Sequence, residues 1–238
     1  MTQQSIVTLA LILVAGSLAA HEISSPVDPN KPAAFDITSA GATTDGRLTT
    51  FAMELAGTAG SEKPKKIGQL AGAKVQSYVW PTSLDPEVVG FDKASGILSL
   101  AITAHPDFDD TPLFDENQDG DPANDGADWH SHWVVLVEDE ACAAGLKVRD
   151  VSPGVDLLPA TAPYLPIALD SPGMSPILSG QTARITVPVG GAENVSFDAV
   201  TAELQVNSNT EVPLLCVTGV HDIASGDLSL PGRVTGSQ

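Results

Sequence analysis

Leu48-Thr49-Thr50-Phe51-Ala52-Met53-Glu54-Leu55 places Phe51, Met53 and Leu55 on one face of an extended chain and Thr50, Ala52 and Glu54 on the other. A period of two is the signature of a strand with one face in a core. Just upstream, Thr44-Asp45-Gly46 carries an Asp-Gly turn signal, and Phe35 to Ala42 precedes it, so the segment reads as an opening hairpin. Further β-rich runs follow: Lys74 to Trp80, Ile97 to Ala104, Trp129 to Glu138, Thr182 to Val189, Phe197 to Val206 and Val212 to Val220. In the second of these, Leu98, Leu100 and Ile102 face inward against Ser99, Ala101 and Thr103. Asp139 to Leu146 reads as a short helical turn. Helical periodicity is otherwise scarce, and 21 Gly and 18 Pro punctuate the strands. The fold class is therefore all-β, an antiparallel β-sandwich with long acidic and Pro-rich loops.

The 238 residues, 42% hydrophobic, are enough to bury a sizeable core. From Ser152 to Pro176 six prolines fall within 25 residues, which argues against regular ladders and marks a connector over 152–176. The stretch after it is too short to stand alone, so 21–238 reads as one domain whose last strands complete the sheets begun by the first.

Residues 1–20 read as a secretory signal peptide. Ile6 to Ala15 is apolar and ends in Gly16-Ser17-Leu18-Ala19-Ala20, too short to span a bilayer but suited to an h-region and its cleavage site. The absence of Lys or Arg in Thr2-Gln3-Gln4 departs from that pattern. The expected location is periplasmic or secreted, with no membrane insertion after cleavage. In such a compartment Cys142 and Cys216 read as one disulfide; a thiolate metal site is the rival and lacks close cysteine spacing.

Thirty acidic residues against eleven basic ones give a net charge of −19, which would repel nucleic acid and anionic lipid surfaces. The same charge suits a binder of cations or a chain adapted to salty surroundings. Nine of the 24 residues from His105 to Asp128 are acidic. Their mutual repulsion must be offset by water and salt or by a bound cation. Asp115, Asn117 and Asp119 alternate as oxygen donors before Gly120, and the run 115–120 resembles the start of an EF-hand calcium loop. That resemblance implies Ca²⁺. The loop then departs from the pattern, because Gly126 stands where a bidentate Glu belongs; Asp125 or Asp128 would have to supply the carboxylate.

Trp129-His130-Ser131-His132-Trp133 opens the strongest strand. Residues two apart lie ~6.6 Å along one face, so His130 and His132 project together while Trp129, Trp133, Val135 and Val137 point the other way. Two imidazoles on one rigid strand suit zinc or copper. The best third ligand is His105, at the end of the Ile97 to Ala104 strand, whose loop returns directly to Trp129. Asp107 and Asp109 are carboxylate alternatives, as ligands or as acceptors orienting an imidazole. His221, beside Asp222 after the last strand, could join the site but reads first as exposed. If the leader is cut after Ala20, His21 becomes the N-terminus and half of a histidine brace for copper; a cut after Ala19 spoils it.

Residues 35–57, Phe35-Asp36-Ile37-Thr38-Ser39-Ala40 and then Asp45 to Gly57, resemble the opening strands of DOMON-type β-sandwich modules, which bind haem or sugars. The resemblance implies Met and His axial ligands and so points to Met53 for one of them, whose own setting between Phe51 and Leu55 reads as core packing. Tyr78-Val79-Trp80-Pro81 offers aromatics for stacking on a ligand or for packing under the proline turn. No nucleophile elbow, phosphate-binding loop, dinucleotide fingerprint or His-Glu-x-x-His helix is present. These residues point to an exported metal-binding protein with a Ca-ordered acidic loop beside a His-based zinc or copper site. Its rivals are a metal-dependent hydrolase or copper oxidase using the same histidines, and a calcium-stabilised ligand-binding or adhesion module.

Overall fold

The computed structural model describes residues 22–67, 69–105, 115, 118–121, 128–208 and 212–237. The leader, His21, Asp107, Asp109, Asn117 and Asp125 lie outside them. In chain order the strands are β1 (Ile23–Ser24), β2 (Ile37–Thr44), β3 (Thr49–Leu55), β4 (Lys74–Pro81) and β5 (Ile97–Ala104). Next come β6 (His130–Glu138), β7 (Leu146–Val148), β8 (Leu169–Asp170), β9 (Ile177–Ser179) and β10 (Thr182–Val187). The chain ends with β11 (Ser196–Phe197), β12 (Val200–Val206), β13 (Leu215–Ile223), β14 (Gly232–Arg233) and β15 (Thr235–Gly236). Among the described residues the one helical segment is the 3₁₀ turn Pro86–Val89. It is capped by the Asp85 carboxylate on the Glu87 N–H and closed by Gly90 at φ 106°.

The all-β, antiparallel expectation holds, but the arrangement is not that of a simple sandwich. One sheet is open, with strands in the order β1-β2-β3-β10-β9 and β15 parallel to β2. The other runs β5-β4-β12-β13-β7-β6 and then returns, because β6 also pairs with β5 from Ile97↔Leu136 to Thr103↔His130. Six strands thus close into a barrel, and β8 pairs with β6 on its other edge. The run Trp133-Val134-Val135-Leu136 is apolar at every position, and all four side chains are buried. An unbroken apolar run belongs to a strand covered on both faces. Closure covers the second one.

Each face of the barrel wall has its own core. The outer face brings Tyr78, Trp80, Leu100 and Trp133 against Phe51, Met53 and Leu55 of the open sheet, with the Phe51 and Trp80 rings 6.1 Å apart. Met53 is therefore core, 1% exposed. The inner face gathers Val79, Val134, Leu136, Val200 and Leu204. Ser99, Ala101 and Thr103, expected to face outward, are buried as well, since they line the closed interior.

The two layers are also joined by polar contacts. Asp222, 4% exposed, accepts from the Ile37 N–H at 2.7 Å and from the Lys31 ammonium at 2.6 Å. Thr201 Oγ1 donates to the Phe35 carbonyl at 2.6 Å. The Tyr78 hydroxyl donates to the Ala34 carbonyl at 3.0 Å and accepts from the Gly60 N–H at 2.8 Å. His221 is not exposed as expected. Because β13 runs on to Ile223, its ring stacks on Phe35 at 4.5 Å, Nε2 lies 2.9 Å from Gln76 Oε1, and burial pushes its pKa down.

Strands beyond the Pro-rich stretch pair with strands before it: β10 on β3 and β12 on β4. Two local expectations are corrected. Asp139 to Leu146 is not helical but a set of turns, with the Asp139 N–H on the Gly145 carbonyl at 2.9 Å, folding β6 back into β7. The stretch 152–176 does carry a short ladder, because Leu169 and Asp170 fall between prolines and pair with Val134 and Trp133.

Cys142 and Cys216 form a disulfide that ties the β6–β7 turn to β13 across 74 residues. Replacing both by alanine should lower the unfolding free energy by about 4 to 5 kcal/mol in chemical denaturation. Tyr78 supplies a pH signature. Burial disfavours the phenolate and pushes its pKa up to about 12 from 10.0 in the unfolded chain. A raised pKa means the associated stability is complete below pH 10 and is lost as pH climbs through about 12. Tyr78→Phe should flatten that alkaline loss while costing about 1 to 3 kcal/mol at neutral pH, since the Gly60 N–H loses its acceptor; denaturation across pH reads both.

Candidate metal centre

Register fixes which way the histidines point. Across β12, β4, β5 and β6 the row Ala202↔Ser77↔Thr103↔His130 lies on one face, and so does the next row, Val200↔Val79↔Ala101↔His132. Their apolar members belong to the inner core, so both imidazoles project into the barrel. His130 is 1% exposed and His132 3%. His105 directly follows β5, at the strand end paired with the start of β6, and is half-buried. The antiparallel β5–β6 pairing is thus what carries His105 to the pair.

The three rings meet. One ligand atom from each of His105, His130 and His132 lies within 4.8 Å of the others, so the trio can hold a metal ion. His105 Nε2 and His130 Nε2 are 3.1 Å apart. Two nitrogens bound to one tetrahedral ion at ~2.0–2.1 Å would be separated by about 3.3 Å, close to that spacing. The His105 and His130 rings are set at 85° with centroids 4.8 Å apart, and His130 and His132 at 86° and 4.7 Å. Edge-on packing of this kind aims ring nitrogens at a shared point instead of stacking the faces.

The rings are oriented from behind. His130 Nδ1 donates to the Asp128 carbonyl at 3.0 Å, and a carbonyl can only accept, so the proton sits on Nδ1. His132 Nδ1 lies 3.3 Å from the Asp170 carbonyl and 3.1 Å from Ser171 Oγ. With Nδ1 protonated, each ring presents the lone pair of Nε2, the arrangement in which a histidine serves as a ligand. Thr103 Oγ1 lies 3.5 Å from His130 Nε2.

Asp170 and Ser171 sit in the Pro-rich stretch and were not singled out from the sequence. Backbone acceptors carry no residue signature, and nothing in Leu169-Asp170-Ser171 announces them. The Asp170 carboxyl is buried, which pushes its pKa up, while a 2.6 Å bond from Thr161 Oγ1 opposes the rise.

The acidic loop is described at Asp115, 118–121 and Asp128. The Asp115 carboxylate accepts the N–H groups of Asp119 at 3.0 Å and Gly120 at 2.7 Å, and the Asp119 carboxylate accepts that of Asp121 at 2.9 Å. Gly120 takes φ 96°, the sharp turn expected of it. The Asp128 side chain is largely exposed, 3.5 Å from the Lys63 ammonium. Gln118 Nε2 donates to the Ser171 carbonyl at 3.0 Å, docking the acidic turn on the segment behind His132.

No protein-family model matches the chain, and neither do any curated protein or solved structure with which it was compared.

Gly173 holds the Gln118 dock open. It takes φ 67°, and a Cβ there would overlap the Gln118 side chain. Gly173→Ala should displace Gln118, speed amide exchange at Asp119 and Gly120, and cost about 1 kcal/mol or more in denaturation.

Proposed function

We propose that this chain is an exported metal-binding protein that carries a zinc or copper ion on His105, His130 and His132. The observation that carries the proposal is the convergence of three imidazoles at the end of a closed barrel, two of them, His130 and His132, with Nδ1 beside a backbone carbonyl. All three donors are imidazole nitrogens. Thiolate is withdrawn into the disulfide, so the set suits borderline divalent ions better than soft monovalent copper. Three protein ligands also leave a coordination position for water or for an exchanging ligand, which fits metal handling and permits metal-assisted chemistry. Export rests on the apolar leader and on the disulfide, which belongs in an oxidising compartment.

Calcium in the acidic loop is the companion reading. It is supported by the Asp115 and Asp119 turn, whose carboxylates already draw backbone N–H groups together around Gly120. A bound cation would offset the repulsion among these acids.

Elemental analysis of protein purified without a His tag, then reloaded with zinc, copper or calcium, tests both readings. Wild type should take up one equivalent of zinc or copper, which should raise the unfolding free energy by about 2 to 3 kcal/mol at a hundredfold excess over Kd. His130→Ala and His105→Ala should each weaken that uptake about tenfold or more; His105, half-buried, leaves the core intact and serves as the folding control. Equal uptake in both variants and wild type would overturn the assignment. Calcium should survive these substitutions and be lost in Asp119→Ala.

A further inference from the structure

The segment behind His132 is Asp170-Ser171-Pro172-Gly173-Met174. It is tied to β6 at both ends, by the pairing of Asp170 with Trp133 and by the Ser131 hydroxyl, which donates to the Met174 carbonyl at 2.7 Å. The His132 ring leans on the stretch between these ties, with Nδ1 3.1 Å from Ser171 Oγ. Ser171 is fully buried, so the place of its hydroxyl follows the place of its main chain.

A further tie to the same stretch comes from outside the two sheets. Gln118 Nε2 donates to the Ser171 carbonyl at 3.0 Å. Gly173, at φ 67°, leaves the space that the Gln118 side chain fills. Gln118 itself takes φ 58°, a left-handed conformation that a residue with a side chain keeps where its surroundings hold it. The turn around it is held as well, because the Asp115 carboxylate accepts the N–H groups of Asp119 and Gly120. Ser171 therefore meets the acidic turn through its carbonyl and the His132 imidazole through its hydroxyl. A coupling carried by such a residue acts in both directions. A docked turn holds the ring where it can meet the other two imidazoles, and an ion that fixes the ring holds Ser171 and, through it, Gln118.

We infer, on the premise of the histidine site proposed above, that Gln118 is a positioning residue for that site and that the acidic turn regulates its metal affinity through Ser171 and His132. Gln118 acts at a distance from the ion, by leaving less rearrangement of the ring to oppose binding.

Zinc titration in competition with a chromophoric chelator, together with amide exchange followed by NMR, tests the coupling. Gln118→Met keeps the length of the side chain and removes the donor; it should weaken zinc binding about fivefold while the unfolding midpoint of the metal-free protein holds. Ser171→Ala, one step nearer the ring, should weaken it about tenfold or more, and the double variant should lose less than the product of the two effects. Zinc should also slow amide exchange at Asp119 and Gly120 in wild type and fail to do so in Gln118→Met, a response that a merely structural glutamine would not produce. Zinc bound as tightly by Gln118→Met as by wild type, or wild-type exchange indifferent to bound zinc, would overturn this inference and leave the histidine site standing. No zinc uptake by wild type would overturn both.

Discussion

The pairing of β5 with β6 is the contact on which the rest of the molecule depends. Seven residue pairs from Ile97↔Leu136 to Thr103↔His130 convert an open sheet into a closed ring. Closure removes two exposed strand edges and gives the small residues of β5 an interior to face. Gly96, just before β5, sits at φ 148° with the Leu136 carbonyl 2.6 Å from where a Cβ would be, so only glycine lets the chain enter this pairing so tightly. Without closure, His130 and His132 would lie on an open face and His105 would have no fixed neighbour.

The candidate site follows from that ring. Among the described residues its ligands come from the end of one strand and the beginning of the next, so strand pairing positions them. The acceptors behind the rings are main-chain carbonyls at Asp128 and Asp170, held by the β6 entry and by β8. A metal placed there would meet two rings, His130 and His132, already held in place through Nδ1, which leaves less reorganisation to oppose binding.

Much of this was legible in the sequence because local period carries it. The alternation in Ile97 to Ala104 gives that strand to the residue, and the hairpin signal at Asp45-Gly46 gives β2 and β3. The shared face of His130 and His132 follows from spacing, and the approach of His105 from the return of its loop. Closure was not legible. Alternation says which residues share a face but not whether a strand pairs on both edges, so Ser99 and Thr103 read as solvent-facing when they are interior. The one sign was the unbroken apolar run in β6. His221 was misplaced for a different reason: β13 continues three residues past the expected end at Val220, and the ring turns into an aromatic stack. Ser171 and Gln118 reach the site through contacts 39 and 53 residues apart in sequence, beyond any local pattern.

The buried carboxylate of Asp222 has a thermodynamic corollary. It belongs to the barrel, where the Ile223 N–H holds it at 2.8 Å, yet its other partners are an amide and an ammonium from the entry to β2. Peeling the open sheet away would break both of those contacts and expose the carboxylate to water. Partial dissociation of the layers therefore loses directional polar bonds as well as apolar burial. The two sheets are bound to a common fate on heating, and unfolding is expected as a single cooperative event instead of a stepwise loss of one layer.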